Sequence, residues 1–127
     1  MKADVLATAD ALIAAFEHND RAGYFSFFAP EASFVFHAVA HVMHGRAAYE
    51  AEYDRWVRED GFQVLECTST HQHVEMFGDC AVFTHQTHTR VRTNDGESAY
   101  DERETIIFCN QNNRWVAVHE HLSLLPG

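Results

Sequence analysis

From residue 62 to residue 124 the chain reads as four long β segments, 62–77, 80–93, 98–109 and 114–124, and this constrains its fold more than any other feature. Only short turn signals interrupt them: Gly78-Asp79, Asn94-Asp95-Gly96 and the run Asn110 to Asn113. Asp95-Gly96 is a strong hairpin signal, because glycine supplies the backbone conformation that such a turn demands. Segments joined this closely pair antiparallel, and long strands twist. A twisted sheet curls, so its concave face needs an apolar cover.

The first half of the chain supplies that cover. Val5, Ala9, Leu12, Ile13 and Phe16 recur at helical spacing and predict a helix over residues 3–18. Asp20 is placed to cap a second short helix over 21–28, which Pro30 stops. A strand or hairpin follows over Ala32–His37 and Ala40–His44. Gly45 then opens a third helix, 46–59, with Tyr49, Tyr53, Trp56 and Val57 as its apolar stripe. Asp54 and Arg58 support its outer face, and Gly61 sits where a left-handed cap is wanted. Three helices followed by an antiparallel meander is an α+β pattern, and 127 residues fit one domain, 1–127. A curled sheet closed by helices leaves a cone with an open mouth, which suits a small molecule.

Charge narrows the partners. Nine Lys and Arg face nineteen Asp and Glu, for a formal charge of −10. That field repels polyanions, so no nucleic acid and no anionic membrane is expected as a partner. Arg90 and Arg92 read as a solvated strand end. The cysteines Cys67, Cys80 and Cys109 are odd in number and include no CxxC pair, so neither a disulfide framework nor a thiolate metal site is expected, and a reducing compartment is the default. Asp4 and Asp10 lie inside the N-terminal apolar stretch and speak against a signal peptide or membrane span, which makes a cytoplasmic location the expectation.

Several short motifs, in order, resemble those of SnoaL-like domains in the nuclear transport factor 2-like, ketosteroid isomerase-like superfamily. The run Trp115-Val116-Ala117-Val118-His119-Glu120-His121-Leu122-Ser123 resembles their last strand, and also the end of the association domain of calcium/calmodulin-dependent kinase II. Glu104-Thr105, the turn Gly78-Asp79 before Ala81, the set Asp20, Phe28-Ala29 and Ala32, and Gly45-Arg46 also match the pattern. The resemblance covers nearly the whole chain. It implies a cone-shaped, curved antiparallel sheet wrapped around the helices of the first half, and a homodimer through the outer sheet face. It does not imply one activity, since one fold hosts many.

Candidate chemistry follows from strand alternation. On 80–93, Ala81, Phe83, His85, Thr87 and Val91 form the more apolar face. On the last strand Val118, Glu120 and Leu122 share a face, though a single bulge would invert the parity. A carboxyl among apolar groups is raised by desolvation and suited to proton transfer, which makes Glu120 the candidate base; the plainer reading pairs it with an Arg such as Arg103. The resemblance adds that SnoaL-type polyketide cyclases carry a carboxylate base on this strand before a Leu-rich tail, the place of Glu120 before Leu122, Leu124 and Leu125, with Glu here where the family has Asp. His85 or Thr87 would then orient the substrate or hold an oxyanion.

Aligned on the steroid isomerases through Asp20 and Phe28-Ala29, the positions of their Tyr donor and Asp base hold Leu12 and Phe36. His37, next door, is either a base or a rim histidine. The expected cavity lining is Phe16, Tyr24, Phe28, Phe34, Phe36, His37, Tyr53, Trp56, Phe83, Thr87, Glu104, Phe108, Val118 and Leu122, with part of this set serving as core. His71-x-His73 and His119-x-His121 could bind zinc if neighbouring strands held them in register; the resemblance implies no required metal or cofactor and puts His119 or His121 in a subunit contact. The expected function is cofactor-independent proton transfer, of cyclase or isomerase type, on a small apolar or aromatic molecule. The alternatives are a non-catalytic carrier or sensor and an oligomeric assembly domain.

Overall fold

The computed structural model describes all residues, 1–127. Its elements are α1 (Lys2–Glu17), α2 (Arg21–Ser26), β1 (Phe28–Phe36), β2 (Met43–His44), α3 (Arg46–Asp60), β3 (Gln63–Phe77), β4 (Cys80–Thr93), β5 (Gly96–Gln111) and β6 (Arg114–Leu124). One six-stranded curved sheet has the order β2-β1-β6-β5-β4-β3. The meander from β3 to β6 is antiparallel throughout. The sheet edge differs from expectation, because β1 joins β6 in parallel. The second helix is also shorter than its sequence suggests, ending at Ser26 so that the chain is already strand at Phe28. Pro30 therefore sits within β1, in the irregular stretch between Phe28 and Ser33 where the ladder is interrupted. A residue without an N–H is tolerated there.

Turn chemistry sets the strand lengths. Asn112 and Asn113 take φ values of 54° and 64°, the pair of left-handed residues that a tight hairpin needs between β5 and β6. Asn94 and Asp95 form the turn between β4 and β5, and β5 starts at Gly96, earlier than expected. Asp20 caps α2 by accepting from the Gly23 N–H at 3.1 Å. Asp54 does not pair with Arg58; its carboxylate takes two bonds from Arg21, at 2.6 and 2.8 Å, which tie α2 to α3. Val57, expected on the apolar stripe, is 46% exposed.

Helix α1 lays Val5, Ala9, Leu12, Ile13 and Ala15 against the sheet. Phe28, Phe34, Phe83, Phe108 and Ile106 are fully buried and form the heart of the core. Removing a buried Phe side chain of this kind costs about 3–5 kcal/mol.

A bulge in β6 fixes which side chains face inward. Phe108 pairs with Ala117 and Ile107 with His119, leaving Val118 as the extra residue. Parity reverses there. Ala117, opposite the inward Phe108, and Glu120, opposite the inward Ile106, both point into the cone. Val118 does not share the face of Glu120, contrary to simple alternation, and His119 falls on the outer face with His121.

Candidate functional site

Between the helices and the concave face lies a cavity of about 350 Å³. Its buried part holds Tyr24, Tyr49, His85, Thr87, Glu102 and Glu120, each no more than 6% exposed. Phe16, Phe36, Trp56, Phe62 and Leu122 give it apolar walls, while Ala38, Asp60 and Tyr100 stand exposed at its mouth.

The carboxyls arrive by strand alternation. Glu102 and Glu104 lie on the same face of β5 as Ile106 and Phe108, and register sets Thr87 opposite Glu102 and His85 opposite Glu104. Glu120 comes in from β6, two residues before Leu122, which pairs with Glu104. Three glutamates thus converge where a core would ordinarily hold apolar groups.

Hydrogen bonds gather these groups into short chains. Tyr24 Oη donates to Glu120 Oε1 at 3.3 Å and lies 2.9 Å from the Tyr49 hydroxyl. Glu104 Oε1 stands 2.7 Å from His85 Nε2, and His85 Nδ1 stands 2.6 Å from Ser69 Oγ. Gln72 Nε2 donates to both Ser69 Oγ and Asp10 Oδ1 at 2.9 Å, carrying the chain to the surface. With Ser69 already accepting from Gln72, its hydroxyl is free to donate to His85 Nδ1. His85 then carries its proton on Nε2 and donates to Glu104. Nearer the mouth, His37 Nε2 lies 2.5 Å from Glu102 Oε2.

Burial separates the proton affinities of these groups. Desolvation pushes Glu104 up to about 8, offset in part by a hydrogen bond from Glu120. Glu120 is held well above the ordinary carboxyl range by burial and by the adjacent Glu104, against a smaller opposing pull from the Tyr24 hydroxyl. Burial pushes His85 down to about 4, so its imidazole is neutral at pH 7. Glu120 is therefore the protonated partner that donates, and Glu104 is the group poised to gain or lose a proton near neutrality. Tyr24 and Tyr49 are raised by burial and remain hydroxyl donors.

The expected site residues fall into two groups. Phe16, Tyr24, Phe36, His37, Trp56, His85, Thr87, Glu104, Glu120 and Leu122 line the cavity. Phe28, Phe34, Tyr53, Phe83 and Phe108 do not; they pack in the core, where ring-on-ring contacts such as Phe28–Phe34 at 5.2 Å occupy their faces. Val118 is withdrawn by the bulge. Arg103 is exposed on the opposite face of β5 from Glu104 and is not the partner of Glu120. Leu12 and Phe36, at the isomerase positions, both line the cavity, and the hydroxyls there come from Tyr24 and Tyr49 instead.

The two histidine pairs lie on β3 and β6, separated by two strands, and His71 sits in a bulge with φ 55°. They do not meet. No group of three or more His, Cys, Asp or Glu side chains is arranged to hold a metal ion. Tyr49, Phe62, Cys67 and Glu102 also line the cavity, outside the set expected from sequence. The signal for Glu102 was present, since it alternates with Glu104, Ile106 and Phe108.

Comparison with known proteins agrees with this geometry. A family model described as a SnoaL-like domain matches residues 5–126. An NTF2-like protein of unknown function in nutrient uptake from Rhodospirillum rubrum superposes with a TM-score of 0.84 at 19% identity, covering 97% of this chain and 99% of that one. The calcium/calmodulin-dependent kinase II hub of S. rosetta gives 0.78 at 23% identity, with 96% and 95% covered. A putative dehydratase of the NTF2-like family from Streptomyces avermitilis gives 0.79 at 19%, with 98% and 96% covered. At these identities the likeness carries the fold alone. No curated protein sequence matches the chain. No helix is long and apolar enough to cross a membrane.

Proposed function

We propose that this chain, which belongs to the SnoaL-like domain family of the nuclear transport factor 2-like superfamily, binds a small apolar or aromatic molecule and moves a proton beside a carbonyl group. The observation that carries this reading is the Glu104–Glu120 pair, two carboxyls that face one cavity and that burial raises above the ordinary range, beside a neutral His85. Glu104 accepts the proton from carbon, and His85 holds the resulting carboxyl through Nε2. Glu120, with Tyr24 behind it, donates to the oxygen on which charge develops. This exchanges the roles first assigned from sequence, where Glu120 was the base.

The cavity chemistry also limits the ligand. None of its 22 lining residues is Lys or Arg. A carboxylate or phosphate would lose its hydration there without gaining a counter-charge, so the reading specifies an uncharged ligand with an aromatic or alicyclic body.

Native mass spectrometry of the purified protein, followed by denaturing release, would identify any co-purified molecule. Incubating that molecule with the protein in heavy water separates enzyme from carrier. Proton transfer predicts deuterium at the carbon next to the carbonyl, lost in Glu104→Gln while binding survives. A ligand bound tightly and returned unlabelled would leave a carrier.

A second reading concerns assembly. The outer sheet face carries a groove lined by Thr84, Arg103, Thr105, His121 and Ser123, and the hub relative shares the fold. Both support self-association through this face as a homodimer. Light scattering tests it directly: a dimer is expected, and a monomer at micromolar concentration would contradict it.

A further inference from the structure

We propose that Cys80 and Cys109 form an oxidisable dithiol on the outer face of the sheet, which hydrogen peroxide converts into an intramolecular disulfide. The odd cysteine count and the lack of a CxxC pair gave no hint of this, because the two lie 29 residues apart. Strand register brings them together. Cys80 is the first residue of β4 and pairs directly with Cys109 of β5. Their sulfurs stand 3.2 Å apart as free thiols. The flanking residues Ala81 and Phe108 are both fully buried and face inward, so the two thiols point to the other side of the sheet, where both are half-buried.

Backbone geometry favours the bond. The Asn110 N–H donates to the Asp79 carbonyl at 2.7 Å, so this bond lies just outside the Cys80–Cys109 pair. That pattern marks a non-hydrogen-bonded antiparallel pair, the closer of the two kinds, with Cα atoms about 4.5 Å apart. This falls within the range a disulfide spans, and the sulfurs need to close by only about 1 Å to reach bonding distance. Cys67, on β3, is the third thiol; it lines the internal cavity and accepts from Thr89 Oγ1 at 3.8 Å.

The reaction balances with the peroxide as oxidant. One cysteine thiolate attacks a peroxide oxygen, the O–O bond breaks, and hydroxide leaves to take a proton. The product sulfenic acid is attacked by the second sulfur, the S–O bond breaks, and water leaves with the second thiol's proton. Two thiols and one peroxide give one disulfide and two waters. Burial pushes Cys109 up to about 11, so the reaction is slow at neutral pH and quickens as pH rises. The bond would pin the register of the two strands that carry His85 and Glu104, which form another directly opposed pair further along the same ladder.

The test is peroxide treatment of the purified protein, quenching with a maleimide under denaturing conditions, and mass spectrometry. The expected product is a chain lighter by two hydrogens that takes up a single maleimide, on Cys67. Its digest should contain a linked Cys80–Cys109 peptide that disappears on reduction. Cys67→Ser should leave this outcome intact and Cys109→Ser should abolish it. The thermal midpoint should rise on oxidation and return on reduction. Three alkylated thiols after treatment, linkage only between chains, or a linked peptide containing Cys67 would each overturn the proposal.

Discussion

The Tyr24 hydroxyl and Glu120 Oε1, 96 residues apart in the chain, meet at 3.3 Å in the buried part of the cavity. Tyr24→Phe removes that donor and leaves Glu120 and the Tyr49 hydroxyl, both buried, each short of a partner. Destabilisation of about 1–3 kcal/mol is expected, read as a lower urea midpoint at unchanged slope. Loss of the donor should also raise the proton affinity of Glu120 further. A variant as stable as the parent would show that the contact contributes nothing.

Stability should depend on pH in a direction unusual for carboxyls. Glu104 binds its proton up to about pH 8 in the folded chain, but only up to about 4.3 when unfolded. Between those values the folded state holds more protons, so this group's contribution is lost as pH rises through about 8. His85, depressed to about 4, acts oppositely: its contribution grows as pH rises from about 4 to its unfolded value near 6.5, and is flat above. The window from about 6.5 to 8 therefore isolates the buried carboxyls. Stability should fall there by up to about 1.4 kcal/mol per pH unit per proton released on unfolding. Glu104→Gln should flatten the decline, and a decline that persists unchanged in the variant would remove Glu104 as its source.

Two glycines with the same backbone hand separate local strain from contact. Gly61 ends α3 at φ +66°, and a Cβ there would lie 2.4 Å from Asn94 Oδ1. Gly78 has φ +62° with open space around it. Gly78→Ala should cost about 1–2 kcal/mol, from the left-handed conformation alone. Gly61→Ala should cost more, because Asn94 must also give up its bond to the Glu59 carbonyl. Equal thermal shifts for the two variants would show that the Asn94 contact is without weight.

Ligand charge gives a further check on the cavity. An uncharged aromatic ketone and the same molecule bearing a carboxylate should differ by at least about tenfold in Kd, with the anion weaker. Titration calorimetry on the pair decides it. Tighter binding of the anion would mean that the missing counter-charge does not set the selectivity.

The α+β order and the strand-rich second half were legible because they rest on local signals: helical spacing in residues 3–18, and turn residues at Gly78-Asp79 and Asn112-Asn113. The parallel pairing of β1 with β6 was not, since it depends on a contact between distant segments. Nor was the bulge at Val118, which no residue type marks and which alone decides that Ala117 faces the cone. At the site, burial of Glu120 could be reasoned from its apolar neighbours. Its partner could not, because Arg103 and Glu104 are adjacent in sequence and register alone decides which of them faces Glu120.

The pairing of Glu104 with Glu120 is the centre of the account, and a carbon-detected magnetic resonance titration of the glutamate carboxyls tests it without a ligand. Resonances are assigned by comparison with Glu104→Gln and Glu120→Gln. Glu104 should titrate near pH 8, and Glu120 should also titrate well above the ordinary carboxyl range. Both carboxyls titrating in the ordinary range, about 4 to 5, would contradict it.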